Sequence, residues 1–234
     1  MKYLNNILFF ATVTIALSAC NSAEVKQADK ESSHMKLFKH CRETGDLQTA
    51  AVALNEMLLE DTAYSDWYDT LAVLYYNINN FQPASWYAGK VLEKKPKDLR
   101  MMELVAMSEQ QLGRPEKVLK AYSALFKATN DFQYLYQSAA VEFSMGNIDN
   151  CKNLVDSILH SATIGKDSIE IQIENDYSQQ VPLRAAVYNL QAFLKAREGN
   201  LPGAKKDFEN ALRIYPDFVL AQRNLQDLMS GGRR

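Results

Sequence analysis

Residues 68–96 read YDTLAVLYYNINNFQPASWYAGKVLEKKP, and residues 188–216 read YNLQAFLKAREGNLPGAKKDFENALRIYP. Aligned on Asn79 and Gly199, both segments place a tyrosine early (Tyr68, Tyr188), an alanine before the turn (Ala72, Ala192), an alanine after it (Ala84, Ala204) and a closing proline (Pro96, Pro216). The same frame extends outward. Gly45, Asn79, Gly113, Gly146 and Gly199 occupy one turn position, at separations of 34, 34, 33 and 53 residues. Seven residues before each turn stand Phe38, Ala72, Ala106, Ala139 and Ala192, and five after it Ala50, Ala84, Val118, Cys151 and Ala204. Small side chains at those places let two helices of a hairpin approach closely. Thr62, Pro96, Asn130, Thr163 and Pro216 close the units, proline being a natural helix terminator there.

A period of about 34 with this arrangement resembles the tetratricopeptide repeat (TPR), a helix-turn-helix unit that buries its core only by stacking on its neighbours. The units start near Glu31, Ser65, Leu99, Phe132 and Ala185, so the resemblance covers nearly the whole chain beyond its first thirty residues. The first unit departs from the pattern, with His34 at the aromatic position and Phe38 at the small one. The resemblance implies an all-α fold: a right-handed superhelix of about five repeats, units 1–4 over residues 31–163 and unit 5 with a capping helix over 183–230. In that cap, Phe218 to Met229, residues Val219, Leu220, Leu225 and Leu228 fall at helical spacing.

The 53-residue step exceeds a repeat by 19, which marks an insertion at 164–182. Ser168 to Glu174 (SIEIQIE) alternates, with Ile169, Ile171 and Ile173 on one side, as a half-buried strand does. Asn175-Asp176 reads as a turn, Tyr177 to Val181 as the returning strand, and Pro182 as the first turn of the next helix. Such a hairpin is marginal alone, so it either wedges two repeats apart or serves recognition.

The resemblance also implies where a partner would lie. In TPR proteins the second, fifth, ninth, twelfth and thirteenth positions of each unit face a concave groove formed by the first helices. Mapped here they give Asp69, Val73, Tyr76 and Asn77 in the second unit, and Arg100, Glu103, Met107 and Gln110 in the third. The fourth and fifth supply Tyr136, Phe143, Phe193 and Arg197. Lys39, Arg42, Asp66, Gln111, Gln133, Ala140, Ser144 and Asn189 complete the set. Tyr76, Tyr136, Phe143 and Phe193 would form an aromatic floor, and aromatics with arginine are the residue types that anchor interfaces. The fourth unit's register is ambiguous by one residue, so Tyr136 or Phe143 could instead turn inward. The carboxylate clamp of chaperone-binding relatives needs Lys/Asn early in consecutive helices, and Met35 and Asp69 break it.

The chain opens with Lys2, an apolar run from Ile7 to Leu17, and Leu17-Ser18-Ala19-Cys20, which resembles a lipoprotein signal (residues 1–19) ending in a bacterial lipobox. The run is shorter than the roughly 20 residues a spanning helix needs. The resemblance implies acyl chains on Cys20, more than one of them, which is the condition for stable anchoring. Asn21 is not the aspartate of inner-membrane retention, so the outer membrane is expected, on its periplasmic side or at the cell surface. Residues 20–33 are polar and read as a flexible stalk.

Other function classes find little support. Lys+Arg 26 against Asp+Glu 28 leaves a net charge of -2, without the basic footprint nucleic acid requires. His34, His40 and His160 have no metal-ligand spacing, Cys41 and Cys151 fall at packing positions, and no phosphate loop or nucleophile elbow occurs. Ser33 to Lys36 matches S-x-x-K without its partner motifs. The expected protein is therefore a non-catalytic, cofactor-free, lipid-anchored envelope adaptor binding protein or peptide segments in its groove. The alternative is a peptide- or glycan-binding accessory of an uptake system, and an envelope enzyme stands third.

Overall fold

A computed structural model describes residues 32–60, 66–161, 167–174 and 177–231. The signal segment, Cys20 and most of the stalk lie outside the described residues, as do Thr62, Thr163 and the Asn175-Asp176 turn. Among the described residues no helix is long and apolar enough to cross a membrane. The helices are α1 (Ser33–Thr44), α2 (Leu47–Glu60), α3 (Tyr68–Asn77), α4 (Phe81–Lys94), α5 (Leu99–Gln111), α6 (Pro115–Thr129), α7 (Gln133–Ser144), α8 (Ile148–His160), α9 (Leu183–Arg197), α10 (Leu201–Ile214) and α11 (Val219–Met229). Strands β1 (Ser168–Glu174) and β2 (Tyr177–Pro182) stand between α8 and α9. Among the described residues, consecutive helices pair as five antiparallel hairpins with α11 after the last, the all-α repeat architecture that the 34-residue period implies, and the small β-hairpin lies in the insertion where the alternating isoleucines stand.

The turn position has one backbone conformation throughout. Gly45, Asn79, Gly113, Gly146 and Gly199 have φ of 82°, 58°, 65°, 79° and 80°. Only glycine enters this left-handed region without penalty, and asparagine is the next most tolerant residue. In four of these turns the following N–H reaches back five residues to close the helix. Asn80 donates to the Tyr75 carbonyl at 2.8 Å, Arg114 to Glu109 at 3.0 Å, Asn147 to Glu142 at 2.9 Å and Asn200 to Lys195 at 2.9 Å. This is the Schellman closure, which satisfies carbonyls the helix end would leave open. The second helix starts at once: the Asp46 carboxylate accepts from the Thr49 N–H at 3.1 Å and Asn200 Oδ1 from the Gly203 N–H at 3.0 Å.

The described residues divide into two compact units, one on each side of the boundary between residues 65 and 66. In the first, α1 packs on α2 around Phe38, Cys41, Leu54 and Met57. Phe38 stands where the other repeats have alanine, and it is buried, with the Arg42 guanidinium 5.6 Å from its ring centre. In the second, Ala72, Ala106, Ala139 and Ala192 are all buried, as are Ala84, Val118, Cys151 and Ala204 on the facing helices. Polar residues enter this interior too. Glu109, 2% exposed, occupies the place that Tyr75 holds one repeat earlier, and it accepts from Ser85 Oγ at 2.5 Å with Lys117 Nζ at 3.3 Å and Arg114 Nη1 at 3.4 Å. Burial alone would raise its pKa, and the Ser85 hydrogen bond with the two cations outweighs that, holding the carboxyl below its ordinary value.

The hairpin pairs antiparallel with Ile169 opposite Val181 and a bulge between Gln172 and Glu174. Ile169 and Val181 are buried in one cluster with Leu183, Leu190, Phe218 and Ala221, whereas Glu170, Gln172 and Glu174 face solvent. Pro182 ends β2 and caps α9 from outside, rather than lying in its first turn. The buried side chain of Gln179 donates to the Asp217 carbonyl at 2.6 Å and accepts from the Val219 N–H at 3.2 Å, so the insertion fastens the entry to α11.

Because Ala72 and Ala106 are buried in the helix contacts, Ala72→Leu and Ala106→Leu should each cost about 1 to 3 kcal/mol by overpacking. Chemical denaturation checks this, and unchanged midpoints would show that these are not the closest helix contacts.

Candidate peptide-binding face

Within residues 66–231 the first helices α3, α5, α7 and α9 carry the candidate groove side chains. Each helix presents its second, fifth, ninth and twelfth positions at spacings of three and four, which is one stripe of an α-helix. On α3, Asp69, Val73 and Tyr76 are half-buried and Asn77 is exposed. Asp69 Oδ1 accepts from the Thr70 N–H at 2.7 Å, so it serves the helix start. Tyr76 reaches the next repeat: its hydroxyl lies 3.8 Å from Met107 Sδ, and its ring meets Phe81 edge-on at 5.5 Å.

On α5, Arg100, Glu103, Met107 and Gln110 are all exposed, Met107 at 40%. Besides Met107, which Tyr76 reaches, two of the four are engaged by tyrosines. Glu103 Oε1 accepts from the Tyr134 hydroxyl at 2.6 Å, and Gln110 Oε1 from the Tyr122 hydroxyl at 3.4 Å, while the two rings stack with centres 6.2 Å apart. Burial, then the hydrogen bond to Glu103, pushes the Tyr134 hydroxyl well above its ordinary pKa. Tyr134 therefore ties α7 to α5, a role its sequence position did not suggest.

Tyr136 and Phe143 part company. Tyr136 packs against the cluster around Cys151, Val155 and Ile158, and its hydroxyl is pushed up to about 12, by burial first and then by the neighbouring Cys151 thiol. Cys151 in turn is raised to about 11, mainly by burial, so at neutral pH it is a protonated core thiol. Tyr136 is thus partly buried against this cluster, so the aromatic floor is narrowed there. Phe143 leans on the same cluster but also reaches outward, its ring centre 6.2 Å from that of Phe193. The Arg197 guanidinium lies 5.9 Å from the Phe143 ring centre.

Phe143, Phe193 and Arg197 thus come together on α7 and α9. Phe193 is 37% exposed and meets Phe208 edge-on at 5.6 Å. No carboxylate among the described residues lies within ion-pair distance of Arg197. Beside Phe193 opens a cleft of ≈ 400 Å³ lined also by Ala196, Leu201, Phe208, Asn224, Asp227 and Leu228. Its α11 wall was missed by the sequence reading, which treated α11 only as a cap. The i, i+3, i+4 spacing of Asn224, Asp227 and Leu228 was the available signal. Chemically, this corner offers a guanidinium with no carboxylate partner among the described residues, an open aromatic face and an apolar recess. Among the described residues no group of three His, Cys, Asp or Glu side chains could hold a metal ion.

Comparison with known proteins agrees with the architecture. No protein-family model matches the sequence, and no curated protein matches it. Solved structures do. YrrB, described as a TPR protein with an unusual peptide-binding site, superposes with a TM-score of 0.58 at 13% identity, over 88% of this chain and 97% of that one. MamA gives 0.56 at 15% identity, over 77% and 88%. MamA from Desulfovibrio magneticus RS-1 gives 0.53 at 12% identity, over 72% and 86%. At such identities the likeness concerns the fold, and the fold is that of TPR proteins.

The contrast between two aromatics tests the geometry. Tyr136→Ala should lower stability by about 3 kcal/mol or more, as removal of a packed ring does, whereas Phe193→Ala should cost clearly less. Equal losses in urea unfolding would mean that Phe193 is a core residue and not an open surface.

Proposed function

We propose that this protein is a TPR-family scaffold of the bacterial cell envelope, lipid-anchored at the outer membrane through Cys20, which holds extended segments of partner proteins on its first-helix face. The fold supports the interaction role, since stacked helical hairpins leave an extended concave surface whose first-helix side chains are free to contact a partner. The observation that carries the reading is the corner where exposed Phe193 stands beside Phe143 and Arg197, which has no carboxylate partner among the described residues. An aromatic surface brings large contact area with few rotors, and a guanidinium stacked on a ring is presented to an incoming carboxylate. A segment that lays an apolar side chain on Phe193 and an acidic group on Arg197 satisfies both. The exposed amides Asn77 and Gln110 and the exposed Met107 continue the face across α3 and α5. The role is non-catalytic: binding alone uses this set of side chains. The membrane assignment is supported by the Leu17–Cys20 motif, and the choice of the outer membrane by Asn21.

Two measurements test this function. For the anchor, Cys20→Ser should move the protein from the detergent phase to the aqueous phase in a phase-separation assay while its helical circular dichroism is unchanged. Persistent detergent partitioning of that variant would refute lipidation at Cys20. For the face, peptides selected from a random display library on the Cys20→Ser chain should be enriched in acidic and apolar residues. Phe193→Ala and Arg197→Glu should each weaken them by at least about 1 kcal/mol, with Tm little altered. Peptides that bind both variants as tightly as the parent would remove the corner from the interaction surface.

A further inference from the structure

A second recess lies away from the first-helix stripe, between the second helices α4 and α6 with α5 as its floor. Its volume is ≈ 420 Å³, within the roughly 300–1,000 Å³ of small-molecule sites. The walls are apolar: Leu92 from α4, Met102 and Val105 from α5, Ala121 and Ala124 from α6. Val105 borders both apolar clusters of this region, so the slot separates two cores that larger side chains would have joined.

Gly89 is what holds the slot open on the α4 side. It sits in the middle of α4, where glycine weakens a helix relative to alanine. Neither usual reason for a glycine applies: its φ is helical, and a Cβ built on it would meet nothing within 4 Å. The repeat does not require glycine there either, since the corresponding residues of the other units are Asn55, Ser123, Asp156 and Glu209. The missing side chain leaves this part of the slot wall open.

The polar groups of the lining are unequal in charge. Glu109 is already satisfied by Ser85, Lys117 and Arg114. Lys120 lines the slot, is exposed, and has no carboxylate among the described residues within ion-pair distance. Lys95 and Lys97 flank the lining residue Pro96 and are exposed as well. An apolar slot with a cationic rim matches a ligand with an alkyl chain and one anionic head.

We infer that the slot between α4 and α6 binds a single-chain fatty carboxylate, its chain over Gly89 and between Leu92 and Ala121, its carboxylate at Lys120. The test is calorimetric titration of the full chain carrying Cys20→Ser with sodium decanoate below its micellar concentration, with decyltrimethylammonium as the cationic counterpart. Saturable binding of one decanoate is expected, with no saturable binding of the cation. Gly89→Leu, which fills the slot while favouring the helix, should weaken decanoate by about tenfold or more with Tm unchanged or raised. Lys120→Glu should weaken it severalfold. Amide shift changes on adding decanoate to the parent should centre on residues 89, 92, 105 and 121, a readout that stands even if Gly89→Leu does not fold. Absence of saturable binding, equal binding of the two head groups, decanoate affinity unaffected by a folded Gly89→Leu, or shifts centred elsewhere would each overturn the assignment.

Discussion

One backbone hydrogen bond recurs at the hinge of the repeats between residues 66 and 231, and the rest of that region depends on it. An N–H at the start of the second helix reaches the carbonyl five residues back, and it can do so only if the residue between them takes a positive φ. The closure sets the angle at which the second helix leaves the first. That angle brings the position seven before the turn against the position five after it, and only small or compact side chains fit. Alanine at 72, 106, 139 and 192, opposite alanine, valine or cysteine, follows from the turn and not the reverse. Asn79 satisfies the same requirement as the glycines because its short polar side chain tolerates the left-handed region.

With the hairpins closed alike, variation is free to appear where the helices meet across repeats. The third repeat puts Glu109 where the second has Tyr75, the fourth puts Glu142 there, and the fifth Lys195. Each is compensated locally: Glu109 by Ser85, Lys117 and Arg114, Glu142 by the amides of Asn147 and Asn150, and Lys195 by the buried Asp207 at 2.5 Å. A carboxylate withdrawn from water is tolerable only with such partners, because its lost hydration is larger than any single contact returns. Replacing an aromatic by a paired carboxylate also removes volume at the junction of two repeats. Next to Glu109, with Gly89 opposite, that volume becomes the slot between α4 and α6.

The β-hairpin follows the same logic of burial. Two strands alone cannot cover their apolar face, and here Ile169 and Val181 are covered by the cluster that includes Leu183 and Phe218. Gln179 then completes the attachment by meeting the Asp217 carbonyl just before the helix and the Val219 N–H, a donor that a helix start leaves without a partner. The insertion braces the final helix, and α11 in turn supplies one wall of the recess beside Phe193.

Period, turn positions, small packing residues and the alternating isoleucines were all legible in the sequence, because each reflects a local rule: positive φ selects glycine or asparagine, close approach selects alanine, a half-buried strand selects alternation. The direction of a side chain on a helix is not local in this sense. Tyr134 and Tyr136 lie two residues apart and so project from roughly opposite sides of α7, and residue type cannot say which of two tyrosines meets the core. Packing decided it: Tyr136 went against the cluster around Cys151, and Tyr134 was buried in the neighbouring cluster with Tyr122 and Leu125, its hydroxyl reaching Glu103 on α5. The same holds for Arg197 resting on Phe143, for α11 lining a recess, and for the slot at Gly89. Each arises from residues of different repeats brought together only when the hairpins stack: spacing along the chain can show which residues share a helix face, as for Asn224, Asp227 and Leu228, but not what that face meets.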